Sequence, residues 1–230
     1  ARMNIVIEGG TGSGKTTLLN ALSNFIPDGQ RIITVEDTAE LNLAKSHVLS
    51  LQSRPANNEG KGEITLQQLV INTLRQRPDR IVVGECRGPE AFDMLQAMNS
   101  GHDGSLTTTH ANNPRAALDR LQNLVQMSRA GANMPPDAIM KIITEAVDFV
   151  VEIKRLPDGS RRVNNICEVC GMQGNVPTVG SIMKFQKTGV DSNGRIKGEF
   201  RPTGSRIVSE DHKERFYSNG VEIKSSWFDN

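Results

Sequence analysis

The chain is poor in the residues that would tie it to several large classes of protein. Its one Trp, one Tyr and seven Phe make aromatics only 4% of 230 positions, too few to suggest a groove on which bases of single-stranded nucleic acid stack. Basic residues exceed acidic ones by a single formal charge, so there is no bulk attraction to nucleic acid or to an acidic partner. No direct nucleic-acid contact is expected. Three cysteines make no disulfide framework and favour a reducing compartment, hence the cytoplasm. Cys167 and Cys170 form a C-x-x-C without a second pair. On a strand, side chains three apart point to opposite faces, and zinc is discarded. No apolar run approaches the roughly eighteen residues of a membrane span, and no signal peptide precedes the first strand. Membrane association is therefore expected only through partners.

What the chain does have is concentrated in Asn4 to Leu22, NIVIEGGTGSGKTTLLNAL. It holds G-x-x-x-x-G-K-T, from Gly9 to Thr16, led by an apolar strand (Ile5, Val6, Ile7) and followed by a helix whose apolar residues are Leu18, Leu19 and Leu22. Strand, glycine loop and helix in that order are the context a phosphate-binding loop requires. Gly9, Gly10, Gly12 and Gly14 free the backbone to approach phosphate oxygens, and successive N–H groups form an anion nest at the helix N-terminus. Residues Gly10, Thr11, Gly12, Ser13, Gly14, Lys15, Thr16 and Thr17 are expected to hold the nucleotide. Lys15 serves the β and γ phosphates, Thr16 offers a hydroxyl to Mg²⁺ and Thr17 touches the α phosphate. Kinases, GTPases, helicases and transport motors all share such a loop. Its strand begins about three residues from an Ala1 start that lacks an initiator Met, so the chain is expected to be a fragment of something longer.

Beyond the loop, strands are expected at Arg31–Asp37 and Arg80–Glu85, both apolar, at His47–Gln52, which alternates, and at Ser105–His110. Helices are expected after Thr65, Pro89 and Asn113-Pro114 and at Asp137–Ala146. A hairpin spans Val147–Leu156 and Arg161–Val169, turning at Pro157-Asp158-Gly159. Past Gly171 the texture becomes short polar segments broken by turns, with a last helix near Glu210–Tyr217. Alternating strands and helices imply an α/β fold with a mainly parallel sheet and ligands at the carboxyl ends of its strands. The expected division is a nucleotide core at 1–171 and a small C-terminal extension at 172–230.

Acids and a histidine sit at or just past such strand ends. Glu36 and Asp37 close the second strand with Glu40 one turn later, and Glu85 follows RIVVG. In one crevice these carboxylates can hold Mg²⁺ through water and orient or deprotonate an attacking water. Position 84, where a nucleotide motor usually carries an Asp for the metal, is Gly, and Glu36 with Glu85 supply the charge instead. His110 ends its strand where it can donate to a γ phosphate and report its loss, while His102 lies at the strand's other end. Arg54, Arg75, Arg77, Arg80 and Arg87 gather around RPDRIVVGECRG. Each is by default a solvated surface charge, and a few can cross a subunit boundary as arginine fingers.

Together these segments resemble the secretion and type IV pilus assembly ATPases, and within them the CpaF-like branch that drives Tad/Flp pilus assembly. GGTGSGKTTLLNAL resembles the Walker A segment, RIITVEDTAEL the acidic Asp box, RPDRIVVGECRG the Walker B segment with its Gly-Glu ending, and GHDGSLTTTHANNPRAALDRL the His box. RLPDGSRRV, EVCGMQGN and KFQKTGVDSNGRIKGEFRPTG resemble the branch's C-terminal region. The resemblance implies a RecA-like P-loop core that uses ATP and Mg²⁺, with Thr16, Glu36 and Glu85 about the metal. Glu36 would be the catalytic carboxylate of the acidic box, Glu85 the Walker B carboxylate and His110 the coupling residue. Arg75, and Arg54 with it, would approach a neighbouring subunit's phosphates. It also implies a ring hexamer, peripheral to the inner membrane through a platform protein, whose N-terminal domain is absent from this chain. Ile71 and Met140 stand where related proteins tend to carry arginine, and Cys86 is expected to be a small buried residue.

The expected function is ATP hydrolysis that powers pilus assembly or secretion. A P-loop kinase would need a lid and an acceptor pocket, and a nucleic-acid motor a basic aromatic groove, neither of which is visible. A nucleotide-sensing scaffold with little turnover is the non-enzymatic alternative, motivated by Ile71 and Met140.

Overall fold

The computed structural model describes residues 1–229. The first apolar triplet becomes β1 (Ile5–Glu8), and the glycine loop leads into α1 (Lys15–Ser23). There follow β2 (Ile32–Glu36), buried at every position, and β3 (Val48–Gln52), which is half-buried. α2 (Leu66–Thr73) opens on a capping box in which Thr65 and Gln68 satisfy each other's backbone N–H. β4 (Arg80–Val83), α3 (Glu90–Asn99) and β5 (Leu106–Thr109) continue the alternation. Pro114 and Pro136 stand in the first turns of α4 (Pro114–Gln126) and α5 (Pro136–Ala146), where a missing N–H costs nothing.

The chain then runs through β6 (Phe149–Arg155), β7 (Arg161–Gln173), β8 (Val176–Val190) and β9 (Ile196–Pro202) before α6 (Glu210–Ser218). Among the described residues nine strands form one sheet in the order β3-β2-β4-β5-β1-β6-β7-β8-β9. The first six in that order pair in parallel and the last three antiparallel. The C-terminal region is thus not a set of short polar segments. β8 alone is 15 residues long, and the expected boundary at 171/172 falls inside β7, so the sheet crosses it without a break. Asn230, the last residue of the expected extension, lies outside the described residues. β8 reads as polar because few of its positions are buried, yet its Ile182 turns inward, as does Ile196 at the start of β9, and β7 and β9 supply its backbone partners.

Strand alternation builds two cores. In β1, Val6 joins the core on the face covered by α2 to α5, with Leu118, Ile139 and Ile143 in the same cluster, while Ile7 joins the core of the other face with Leu19 of α1. Both are fully buried. A third cluster ties α6 and the C-terminus to β6 through Phe149, Ile207 and Phe228. There His212 is held between Asp148 (3.1 Å) and Glu168 (2.7 Å), and Arg215 also reaches Asp148 at 2.7 Å. Burial alone would lower the imidazole pKa, but hydrogen bonds to the two carboxylates outweigh it and raise it to about 9. Among the described residues no helix is long and apolar enough to cross a membrane. The three cysteines are free thiols, and Cys86 is buried as expected.

Candidate functional site

The carboxyl ends of β1, β2, β4 and β5 share one edge of the sheet, and the segments leaving them line a crevice of about 600 Å³. The glycine loop forms its floor. Gly12 (φ 68°) and Gly14 (φ 100°) take the left-handed conformation that side chains resist. Gly9 passes so close to the Ile153 carbonyl and Ser13 Oγ that any Cβ would collide. α1 starts at Lys15 with no side-chain cap, which leaves its first N–H groups facing the crevice. Lys15 is buried, and Nζ donates to the carbonyls of Gly9 (3.0 Å) and Gly10 (3.3 Å). That burial lowers its pKa, opposed by the charges of Glu85 and Glu8.

The acids form the opposite wall. Glu36 is 5% exposed, and its Oε1 accepts from the backbone N–H of Glu40 (3.0 Å) and Leu41 (2.9 Å). Glu40 in turn accepts from the Thr16 hydroxyl at 3.2 Å. Gly84 has its own reason here: a Cβ at that position would lie 3.0 Å from Glu36 Cγ. The glycine therefore clears room for the carboxylate of the neighbouring strand. His110 Nδ1 contacts Glu85, and Nε2 lies 3.4 Å from Thr11 Oγ1, so the imidazole bridges the end of β4 and the glycine loop. Arg87 also lines the crevice, in a 2.8 Å ion pair with Asp37.

The structure brings Thr11 to Thr17, Glu36, Glu85 and His110 into this one crevice. Gly10 does not line the crevice; its carbonyl accepts from Lys15 Nζ and from the Ser13 N–H. Arg54 and Arg75 are elsewhere. Arg54 is exposed in the loop before α2, where Nε donates to the Gly62 carbonyl. Arg75 follows α2 at the opposite, amino edge of the sheet, and neither lines the crevice of its own chain. The arginines of the RPDRIVVGECRG region thus do not form one cluster. Arg80 is buried at the amino edge, bound to Gln30 (2.6 Å) and the Gly104 carbonyl (2.9 Å), and burial brings its pKa down to about 10. His102 also lies away from the crevice, beside the Ala97 carbonyl. Thr38, Thr108 and Arg161 line the crevice and were not singled out by the sequence. Arg161 donates from Nε to the Gly12 carbonyl at 2.8 Å across 149 positions of sequence, a separation at which no local pattern signals contact.

Glycine loop, uncapped helix and facing acids can bind a polyanion at one end and a hard cation at the other. The oxygens of Thr16, Glu36, Glu40 and Glu85 are the donor type that Mg²⁺ takes, so the residues fit that ion. The crevice thus sits at the parallel edge of one large mixed sheet, with the glycine loop and the carboxylates both lining it. The chain belongs to the Type II/IV secretion system protein family, which it matches over residues 1–215. It is 41% identical over 179 residues to a putative conjugal transfer protein of Mycobacterium tuberculosis, covering 78% of this chain and 50% of that protein. It is 40% identical over 163 residues to the type IV secretion system protein VirB11 of Bartonella quintana, covering 71% and 45%. The VirB11 ATPase of the Brucella suis type IV secretion system, solved with sulphate, superposes with a TM-score of 0.65 at 36% identity, covering 72% of this chain and 48% of that one. The chain spans about half the length of the relatives it matches.

Proposed function

We propose that this chain is the RecA-like core of an ATP-hydrolysing motor subunit that powers secretion or pilus assembly. The observation that carries the reading is the convergence of Lys15, Thr16, Glu36, Glu85 and His110 from four separate segments on one crevice. The loop N–H groups and Lys15 would hold the triphosphate, and Thr16 with Glu36, Glu40 and Glu85 would hold Mg²⁺. When bound, that ion neutralises charge building on the phosphate oxygens. Glu85 orients and deprotonates the attacking water. His110, touching both Glu85 and Thr11, relays the presence of the γ phosphate from the loop to β4 and β5.

The likeness to secretion ATPases supports work at a membrane machine, with the chain in the cytoplasm and reaching the inner membrane through a platform protein. We place it in a homo-hexamer, where Arg75 and Arg54, turned away from their own crevice, are free to meet a neighbour's. The C-terminal segments quoted above support the finer assignment to the Tad/Flp branch. Met140 is buried in the core, where its side chain serves packing, and Ile71 is exposed on α2. Lys15→Ala tests the site itself: it should abolish ATP binding with the fold intact, and unchanged affinity would refute the assignment.

A further inference from the structure

We propose that Arg161 is a nucleotide-contacting residue delivered by the antiparallel half of the sheet, holding the glycine loop with one nitrogen and a nucleotide phosphate with the other two. The proposal rests on the nucleotide reading of the crevice. β6 pairs in parallel with β1 so that Glu152 stands beside Glu8, and the turn after β6 therefore emerges next to the loop after β1. That turn is rigidly held. Asp158 accepts from the N–H and hydroxyl of Ser160 (3.0 and 2.7 Å) and from the N–H of Ile196 on β9 (2.7 Å). Arg161, the first residue of β7, is thus aimed from a fixed support. Its Nε donates to Gly12, and its Cδ occupies the space where a Cβ on Gly14 would come within 3.2 Å.

Charge accounting in the crevice singles this arginine out. The lining carboxylates are Glu36, Asp37, Glu40 and Glu85, and the permanent cations are Lys15, Arg87 and Arg161. Arg87 is tied to Asp37, and Lys15 is turned onto loop carbonyls. Arg161 makes no ion pair among the described residues, and its two terminal nitrogens make no hydrogen bond there. An exposed guanidinium with an open fork beside Gly12 and Gly14 matches the oxygens of a phosphate held in the loop. Three simultaneous jobs in one plane require arginine, because a lysine ammonium cannot span the Gly12 carbonyl and a phosphate in that geometry.

The test compares ATP and inorganic pyrophosphate affinities of the full-length protein, unaltered and as Arg161→Ala, Arg161→Lys and the neighbouring control Arg162→Ala. Arg161→Ala should weaken ATP and pyrophosphate alike by about tenfold, as expected for loss of a charge-assisted contact. Arg161→Lys should recover only part of it, Arg162→Ala should match the unaltered protein, and thermal unfolding should not move. Unchanged affinities in Arg161→Ala overturn the inference alone. A loss for ATP with pyrophosphate unaffected assigns the side chain to the base or sugar and overturns it equally. If the unaltered protein binds neither ligand, the nucleotide reading fails and takes the inference with it.

Discussion

Gly84 and Glu36 occupy one space: a Cβ on Gly84 would stand 3.0 Å from Glu36 Cγ and 3.4 Å from its Oε1. Two adjacent parallel strands thus divide one role, the first supplying the carboxylate and the second stepping aside for it. Gly84→Ala should push Glu36 off the N–H groups of Glu40 and Leu41 by a few tenths of an ångström. Turnover should fall roughly tenfold or more, since small misplacements at a reacting centre are costly. ATP affinity should stay within about twofold because the glycine loop is untouched. Steady-state phosphate release and equilibrium binding on the same sample separate the two effects. A parallel fall in both would show that Gly84 serves the fold.

The bridge made by His110 predicts a different pattern. His110→Gln keeps a polar side chain but loses the ring whose two nitrogens face Glu85 and Thr11 at once. Phosphate release should drop by about 10²-fold, as misplacement of Glu85 at the reacting centre can cost, with ATP still bound. An unimpaired kcat would remove His110 from the mechanism.

His212 governs alkaline stability. Its pKa in the folded chain is raised to about 9 from an ordinary 6.5. The folded state therefore binds the extra proton, and stability falls as pH rises from about 6.5 through about 9. His212→Gln should cost on the order of 2 kcal/mol at pH 6 and flatten that decline. Urea unfolding across this range checks it, and an unchanged slope would contradict the α6 anchor.

Glu8 acts in a lower window. It is fully buried beside Glu152 with neither oxygen hydrogen-bonded, and burial followed by the Glu152 charge raises its pKa to about 8 from 4.5. The folded chain keeps this carboxyl protonated where the unfolded chain has lost the proton, so stability declines from about pH 4.5 to about 8. Glu8→Gln should remove that decline and stabilise the protein by on the order of 2 kcal/mol at pH 8. Destabilisation at pH 8 would show that the ionised carboxylate is held by a partner.

The parallel half of the fold was legible because its signals are local. Ile5 to Ile7, Arg31 to Glu36 and Arg80 to Val83 are apolar runs with punctuation, and the glycine loop specifies its own neighbours in sequence. Placing acids and His110 at strand ends then followed from the rule that ligands gather at that edge. What stayed hidden depends on distant pairing. The length of β8 is set by β7 and β9, and the space at Gly84 is explained only by Glu36 on the adjoining strand. The arginines looked like one group in sequence, yet a four-residue strand carries Arg80 and Arg87 to opposite edges of the sheet.

The central claim, that this crevice hydrolyses ATP with Glu85 acting on water, is tested most directly by steady-state phosphate release from the full-length protein with ATP and Mg²⁺, beside its Glu85→Gln variant. The account predicts turnover by the unaltered protein and a loss of about 10²-fold or more in Glu85→Gln, with ATP still bound. Equal rates in the two proteins would contradict it.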